Sequence, residues 1–163
     1  MSENEHFVKR LTSRLVVLDE ADRILLFRAT NKESPDPFWF TPGGGVEAGE
    51  SYEDAARREF WEETGLTGID LGPCVWRRER EHMNLSFSER YFVIRTVNFD
   101  PVPANPDPYW ERYMFESGWF RWWTLQDLEL HRGTEDIEPR ELIKLLPSII
   151  EGCWPVVPIE LST

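Results

Sequence analysis

The chain is 163 residues long, 40% apolar, and carries a formal net charge of −12. That length fits one domain, and that apolar share supports a packed core and excludes a disordered chain. The charge argues against duplex DNA and anionic membranes as partners, and no apolar run is long enough to span a bilayer.

In chain order, residues 1–10 read as a polar tail that turns strand-like, with no signal peptide expected. Ser13–Leu18 and Arg23–Phe27 are predicted strands, and the Asp19–Asp22 turn makes them a hairpin. Asn31 to Pro37 is a polar loop, either a connector or a segment that reaches a ligand. Phe38–Phe40 is a short strand that runs into Pro42-Gly43-Gly44-Gly45. Those glycines allow a sharp strand-to-helix turn, positive φ and close approach of a ligand to the backbone. A tight turn with no ligand would use them equally well.

A helix is expected next. Ser51 is placed to cap it, Asp54 follows three residues on as in a capping box, and Gly65 stands where a left-handed C-terminal cap belongs. Ala55, Ala56 and Phe60 form its apolar stripe, with Tyr52 one turn earlier. Glu59, Glu62 and Glu63 fall at i, i+3 and i+4 and so share a face. Like charges at that spacing destabilise a helix by a few tenths of about 1 kcal/mol per pair. A dication between them removes the cost, because clustered carboxylates are ligands for hard cations such as Mg²⁺. A solvated acidic face is the competing reading.

From Gly44 to Leu66 the chain reads GGVEAGESYEDAARREFWEETGL. This stretch resembles the Nudix box, the signature of the Nudix hydrolases, at Gly44, Glu50, Arg58, Glu59, Phe60, Glu62, Glu63, Gly65 and Leu66. The resemblance implies a single Nudix domain over residues 1–163, with 1–10 and 155–163 as tails. The implied fold is α/β, an α/β/α sandwich with a mixed central sheet. It further implies Mg²⁺, with Mn²⁺ as a substitute, held by Glu59, Glu62, Glu63 and the Gly43 carbonyl. The implied reaction is hydrolysis of a diphosphate linkage in a nucleoside diphosphate derivative. ADP-ribose, dinucleoside polyphosphates and (d)NTPs are examples. Arg58 and Glu50 are implied as orienting residues, Arg58 belonging to the catalytic set through the glutamates it holds. One of the box glutamates, or Glu116, is the expected general base. A Nudix-like domain that senses a nucleotide sugar without cleaving it is the alternative.

Past the box, Cys74–His82 and Glu89–Val97 alternate like strands and are expected to form a hairpin bent at Met83–Ser88. Cys74 and Cys153 match no metal spacing, and unpaired thiols point to a reducing, cytoplasmic setting. Phe99–Tyr109 holds four prolines and is read as a rigid loop, a lid or a plain connector. Trp119–Trp123 is a predicted strand, and Thr124 caps a helix over Leu125–Leu130. The order resembles the closing pattern of the Nudix fold, and the resemblance implies that an acidic residue just before such a strand completes the metal site or helps activate water; Glu116 fits that place best and Glu111 is second. Glu138–Glu151 is predicted as the last helix, with Pro139 in its first turn, and Trp154–Thr163 as an extended tail. Arg28, Trp39, Gly44 and Arg78 are candidate substrate contacts, Trp39 being either a core residue or a base-stacking surface. Trp61 faces outward or toward a second copy of the chain.

Overall fold

The computed structural model describes residues 8–30, 36–82, 84–105 and 118–163. In order, its elements are β1 (Val8–Leu18), β2 (Ile24–Ala29), β3 (Phe38–Phe40), β4 (Gly43–Gly45), α1 (Tyr52–Thr64), β5 (Leu71–His82), β6 (Leu85–Arg95), β7 (Phe120–Trp123), α2 (Leu125–His131), β8 (Asp136–Glu138), α3 (Leu142–Ile150) and β9 (Ile159–Glu160). The Glu111 and Glu116 candidates lie outside the described residues, as does most of the 99–109 loop beyond Asn105.

The strands form one mixed sheet in the order β8-β3-β2-β1-β6-β5-β9, with β4 added to β1 and β7 added to β2. β1 runs parallel to β6 over its whole length, from Val8 opposite Leu85 to Leu18 opposite Arg95. Every residue from Leu15 to Leu18 is buried. Such a run, without polar alternation, means that both faces of the strand are covered. Leu15 and Val17 pack with Phe27, Ala56, Phe60, Phe92 and Ile94 under α1. Val16 and Leu18 pack with Trp76, Val93, Leu128, Leu142 and Leu146 under α2 and α3. The result is a sheet between helices, the α/β/α sandwich of the sequence reading.

Four local expectations change. The glycine run is not a turn: Gly43, Gly44 and Gly45 form β4, antiparallel to Arg14, Ser13 and Thr12. The last helix starts at Leu142 rather than Glu138, because Asp136–Glu138 pairs in parallel with Phe38–Phe40. The 155–163 stretch is not a free tail, while the described end of the first stretch is strand-like as read. Val8 already belongs to β1, while Ile159–Glu160 pairs with Trp76–Arg77 and Leu161 is buried. Thr124 does close a reciprocal capping box with Asp127 at the start of α2, whereas Ser51 only accepts from the Asp54 N–H at 3.1 Å. Among the described residues, no helix is long and apolar enough to cross a membrane.

Candidate active site

α1 presents the acidic residues because its other side is committed to the core. Ala55, Ala56, Phe60 and Thr64 are buried, which turns Arg58, Glu59, Glu62 and Glu63 toward β4 and its flanks. Gly65 ends the helix in the left-handed conformation (φ 76°) and returns its N–H to the Trp61 carbonyl at 2.8 Å. The chain beyond is tied to the same end: the N–H groups of Ala104 and Asn105 both donate to the Glu62 carbonyl, at 2.9 and 3.3 Å.

Arg58 is the hub. Its Nε and Nη2 grip the two Glu50 carboxylate oxygens at 2.9 and 3.0 Å. Nη2 also donates to the Gly45 carbonyl at 2.7 Å. Nη1 reaches Glu59 at 2.8 Å and Glu62 at 3.2 Å. This fork holds Glu50 below the ordinary glutamate pKa, the Arg58 hydrogen bond outweighing the opposing effect of burial. Glu63 points elsewhere: its Oε2 accepts from the Gly43 N–H at 2.9 Å. Burial pushes the Glu59 pKa up despite Arg58. Burial, reinforced by the charge of Glu59, pushes Glu63 well above the ordinary range.

Two glycines make this packing possible. At Gly43 (φ +133°) a Cβ would lie 2.1 Å from the Ser13 carbonyl oxygen. At Gly44 it would lie 2.4 Å from the Glu59 carboxylate. At Gly43 a side chain would meet the β1 backbone and does not fit, whereas at Gly44 it would displace the Glu59 carboxylate from its present place.

These residues fit a hard cation in kind. Glu59, Glu62 and Glu63 offer carboxylate oxygens, burial raising the pKa of Glu59 and of Glu63, and Gly43 offers a carbonyl. Among the described residues, however, no three His, Cys, Asp or Glu side chains converge as a ready-made cage. Arg58 lies between Glu59 and Glu62, and the Gly43 carbonyl has Arg14 Nη1 at 3.4 Å.

A cleft of about 900 Å³ opens on the far side of Arg14. Arg14, Thr41, Arg78, Glu89, Tyr91 and Glu138 are among its lining residues, and five arginines face five carboxylates around it. None of the box glutamates lines it; Arg14 is the connection. Glu89 is 1% exposed. It takes Arg78 Nε at 2.6 Å, with Arg14 Nε at 3.6 Å and Arg80 Nε at 3.9 Å. Burial works against its charge, but the three guanidiniums prevail and its pKa is lowered.

The predicted substrate contacts divide. Gly44 sits beside Glu59, and Arg78 lines the cleft, paired with both Glu89 and Glu138 (2.8 Å). Arg28 and Trp39 do not line it. Both converge on Glu135, through Arg28 Nη2 at 2.6 Å and Trp39 Nε1 at 2.6 Å. Trp39 is 6% exposed and edge-on to Trp123 at 4.9 Å, so it is a core residue and not a stacking surface. Trp123 is likewise buried, and Trp61 is partly exposed on the outer side of α1. Arg14, Glu89 and Glu135 went unnoticed in the sequence. For the first two a signal existed. Glu89 stands in the same strand phase as Tyr91 and Val93, and Arg14 in that of Val16 and Leu18, where a buried side chain was due.

Comparison with known proteins gives three kinds of match. A family profile described as NUDIX domain matches residues 8–146. An RNA pyrophosphohydrolase of Caulobacter vibrioides is 39% identical over 71 residues, 44% of this chain and 41% of that protein. A putative 8-oxo-dGTP diphosphatase of Bacillus subtilis is 49% identical over 51 residues, 31% of this chain and 32% of that protein. The matches thus span less than half the length of these curated relatives. Among solved structures, the MutT protein of Methanosarcina mazei superposes with a TM-score of 0.64 at 22% identity, over 86% of this chain and 94% of that one.

Proposed function

We propose a reaction from one premise: the chain belongs to the NUDIX domain family. It is a hydrolase of a diphosphate linkage in a nucleoside diphosphate derivative and works with Mg²⁺. The observation that carries this reading is the joining of two features at Arg14: the Arg58-centred glutamate constellation and a cleft of about 900 Å³, a size that suits one nucleotide.

Glu59, Glu62, Glu63 and the Gly43 carbonyl are the residues that would hold the cation, with Glu116 as a further candidate. When bound, Mg²⁺ supplies charge neutralisation on the phosphates and activation of a water for in-line displacement. The chain supplies the rest. Arg58 fixes Glu50, Glu59 and the Gly45 carbonyl in one frame, as an outer partner of the ligands. Burial and the neighbouring Glu59 charge raise the Glu63 pKa, and a cation held there would act in the opposite direction. A box glutamate or Glu116 takes the proton of the attacking water.

Within the substrate class, a free nucleoside polyphosphate fits better than an RNA chain. The protein carries a net charge of −12, and the five arginines of the cleft are matched by five carboxylates. Neither attracts a long polyanion. The Bacillus subtilis relative, described as an 8-oxo-dGTP diphosphatase, supports the same choice.

The test is a panel of (d)NTPs, oxidised dGTP, ADP-ribose, a dinucleoside polyphosphate and 5′-triphosphorylated RNA, each with Mg²⁺ and with Mn²⁺. Release of nucleoside monophosphate or pyrophosphate from a free nucleotide is the expected result. Glu62→Gln and Glu63→Gln should lower it at least 100-fold. Binding of a nucleotide without turnover on any compound would replace the hydrolase with the sensing domain.

A further inference from the structure

The arginine between the two halves of the site is less committed than Arg78 beside it; Arg80 shares this, its Nε being buried with no hydrogen-bond partner among the described residues. Arg78 is committed on both sides, to Glu89 at 2.6 Å and Glu138 at 2.8 Å. Arg80 lies over the Phe87 ring at 4.5 Å. Among the described residues, the contacts of the Arg14 guanidinium are long ones, to the Gly43 carbonyl at 3.4 Å and to Glu89 at 3.6 Å. Its position is nonetheless fixed by backbone, because Arg14 pairs with Gly43 of β4 on one side and Tyr91 of β6 on the other. A guanidinium has five donors in a rigid fork that suits an oxyanion. Here most of that capacity is unspent, at the point where the cleft meets the glycine strand.

Glu89 explains why the guanidinium stays there. It is a buried carboxylate with three guanidinium groups within 4 Å, held at the cleft wall. Without its charge, Arg14, Arg78 and Arg80 would repel one another and turn to solvent.

We propose that Arg14 donates to a phosphate of the substrate as it enters from the cleft, and that Glu89 is the positioning residue that aims Arg14. This rests on the hydrolase reading and adds to it a phosphate contact outside the box. The contact is to phosphate and not to the base, since Arg14 stands at the Gly43 carbonyl, beside the strand whose Gly43 N–H holds Glu63 and whose Gly44 abuts Glu59.

The experiment compares wild type, Arg14→Gln, Glu89→Gln, Glu89→Asp and the Arg14→Gln/Glu89→Gln double variant on three nucleoside triphosphates that differ only in base. Arg14→Gln should lower kcat/KM at least tenfold, by one common factor for all three. Glu89→Gln should lower it by a similar factor, and the double variant should be no worse than Arg14→Gln alone, since Glu89 acts through Arg14. Glu89→Asp, which keeps the charge, should recover part of the loss. Additive losses in the double variant, or factors that change with the base, would overturn the assignment. So would an Arg14→Gln enzyme within twofold of wild type. If Glu89→Gln does not fold, Arg14→Gln and Arg14→Lys carry the test. If wild type cleaves none of the compounds, the hydrolase reading fails, and calorimetric titration with ADP and Mg²⁺ decides on Arg14. Loss of ADP binding in Arg14→Gln keeps the contact; equal binding, or none by wild type, removes it.

Discussion

Glu63→Gln separates the cost of the acidic cluster from its use. The Glu63 carboxylate accepts the Gly43 N–H at 2.9 Å, and burial and then Glu59 push its pKa well up. Burial disfavours the charged form of the metal-free side chain, and glutamine is neutral, similar in shape and keeps an oxygen to accept the Gly43 N–H. Metal-free stability should change by no more than about 1 kcal/mol, the net worth of one hydrogen bond. Metal is where the variants part. At a Mg²⁺ concentration 100 times Kd, wild type gains about 2.7 kcal/mol. For a chain of this size that raises Tm by roughly 5–10 °C. A variant binding 100-fold more weakly would gain about 0.4 kcal/mol, or about 1 °C. Calorimetric melts with EDTA and with saturating MgCl₂ measure both quantities on both proteins. Equal Mg²⁺-induced shifts would refute the role of Glu63 as a ligand. A metal-free variant weaker by more than about 2 kcal/mol would refute the account that burial disfavours its charged form.

Gly44→Ala should keep the circular dichroism of wild type yet lose roughly 100-fold in turnover, because its Cβ would meet the Glu59 carboxylate at 2.4 Å and force a shift of about 1 Å. Arg58→Lys keeps the charge but loses the fork on Glu50, Glu59 and the Gly45 carbonyl. Metal affinity by titration calorimetry and turnover should each fall about 10–100-fold. Glu135 has its pKa lowered, first by the Arg28 hydrogen bond, against burial, and then by Trp39. A depressed carboxylate stabilises the fold above its ordinary pKa and loses that contribution as pH falls through its folded value. The Trp39 indole N–H resonance should therefore shift on acidification below the ordinary glutamate pKa, and should not do so in Glu135→Gln.

The box was legible because helical periodicity is local. Ser51, Phe60 and Gly65 set the start, the buried side and the end of α1 from sequence neighbours alone, and the side left over carries the charges. The Phe38–Phe40 and Trp119–Trp123 strands were legible for the same reason, since aromatic runs bounded by Gly or Pro need no distant partner to declare themselves. The glycines were half legible. The Gly43–Gly45 run was read as a turn that permits close approach to the backbone, but the groups that come close, the Ser13 carbonyl and Glu59, belong to other elements. Glu138-Pro139 misled in a simpler way. Proline suits the first turn of a helix, yet Asp136–Glu138 gains a parallel partner in β3, and pairing across 100 residues has no local trace.

The cleft shows what strand phase can reveal when charge is followed with the same care as hydrophobicity. On the face under α2 and α3, β1 carries Val16 and Leu18, β5 carries Trp76, and β6 carries Tyr91 and Val93. Going along each strand in the same phase, the apolar residues give way to Arg14, to Arg78 and Arg80, and to Glu89. Three neighbouring strands therefore change from core to charge, and the charges meet at one carboxylate. Solvation alone would not select this, because Glu89 is 1% exposed and a buried ion in company with three others adds little net stability. Each of the three strands was predicted as a strand, and each phase could be counted. What was missing was the register that sets Arg14 opposite Tyr91 and Arg78 opposite Glu89. Without it, Arg77, Arg78, Arg80, Arg90 and Arg95 on β5 and β6 read mostly as counter-charges on a strongly acidic chain, and the sequence does not say which of them face the site. With it, the few that interrupt an apolar phase stand out, meeting at the buried Glu89 on the cleft wall.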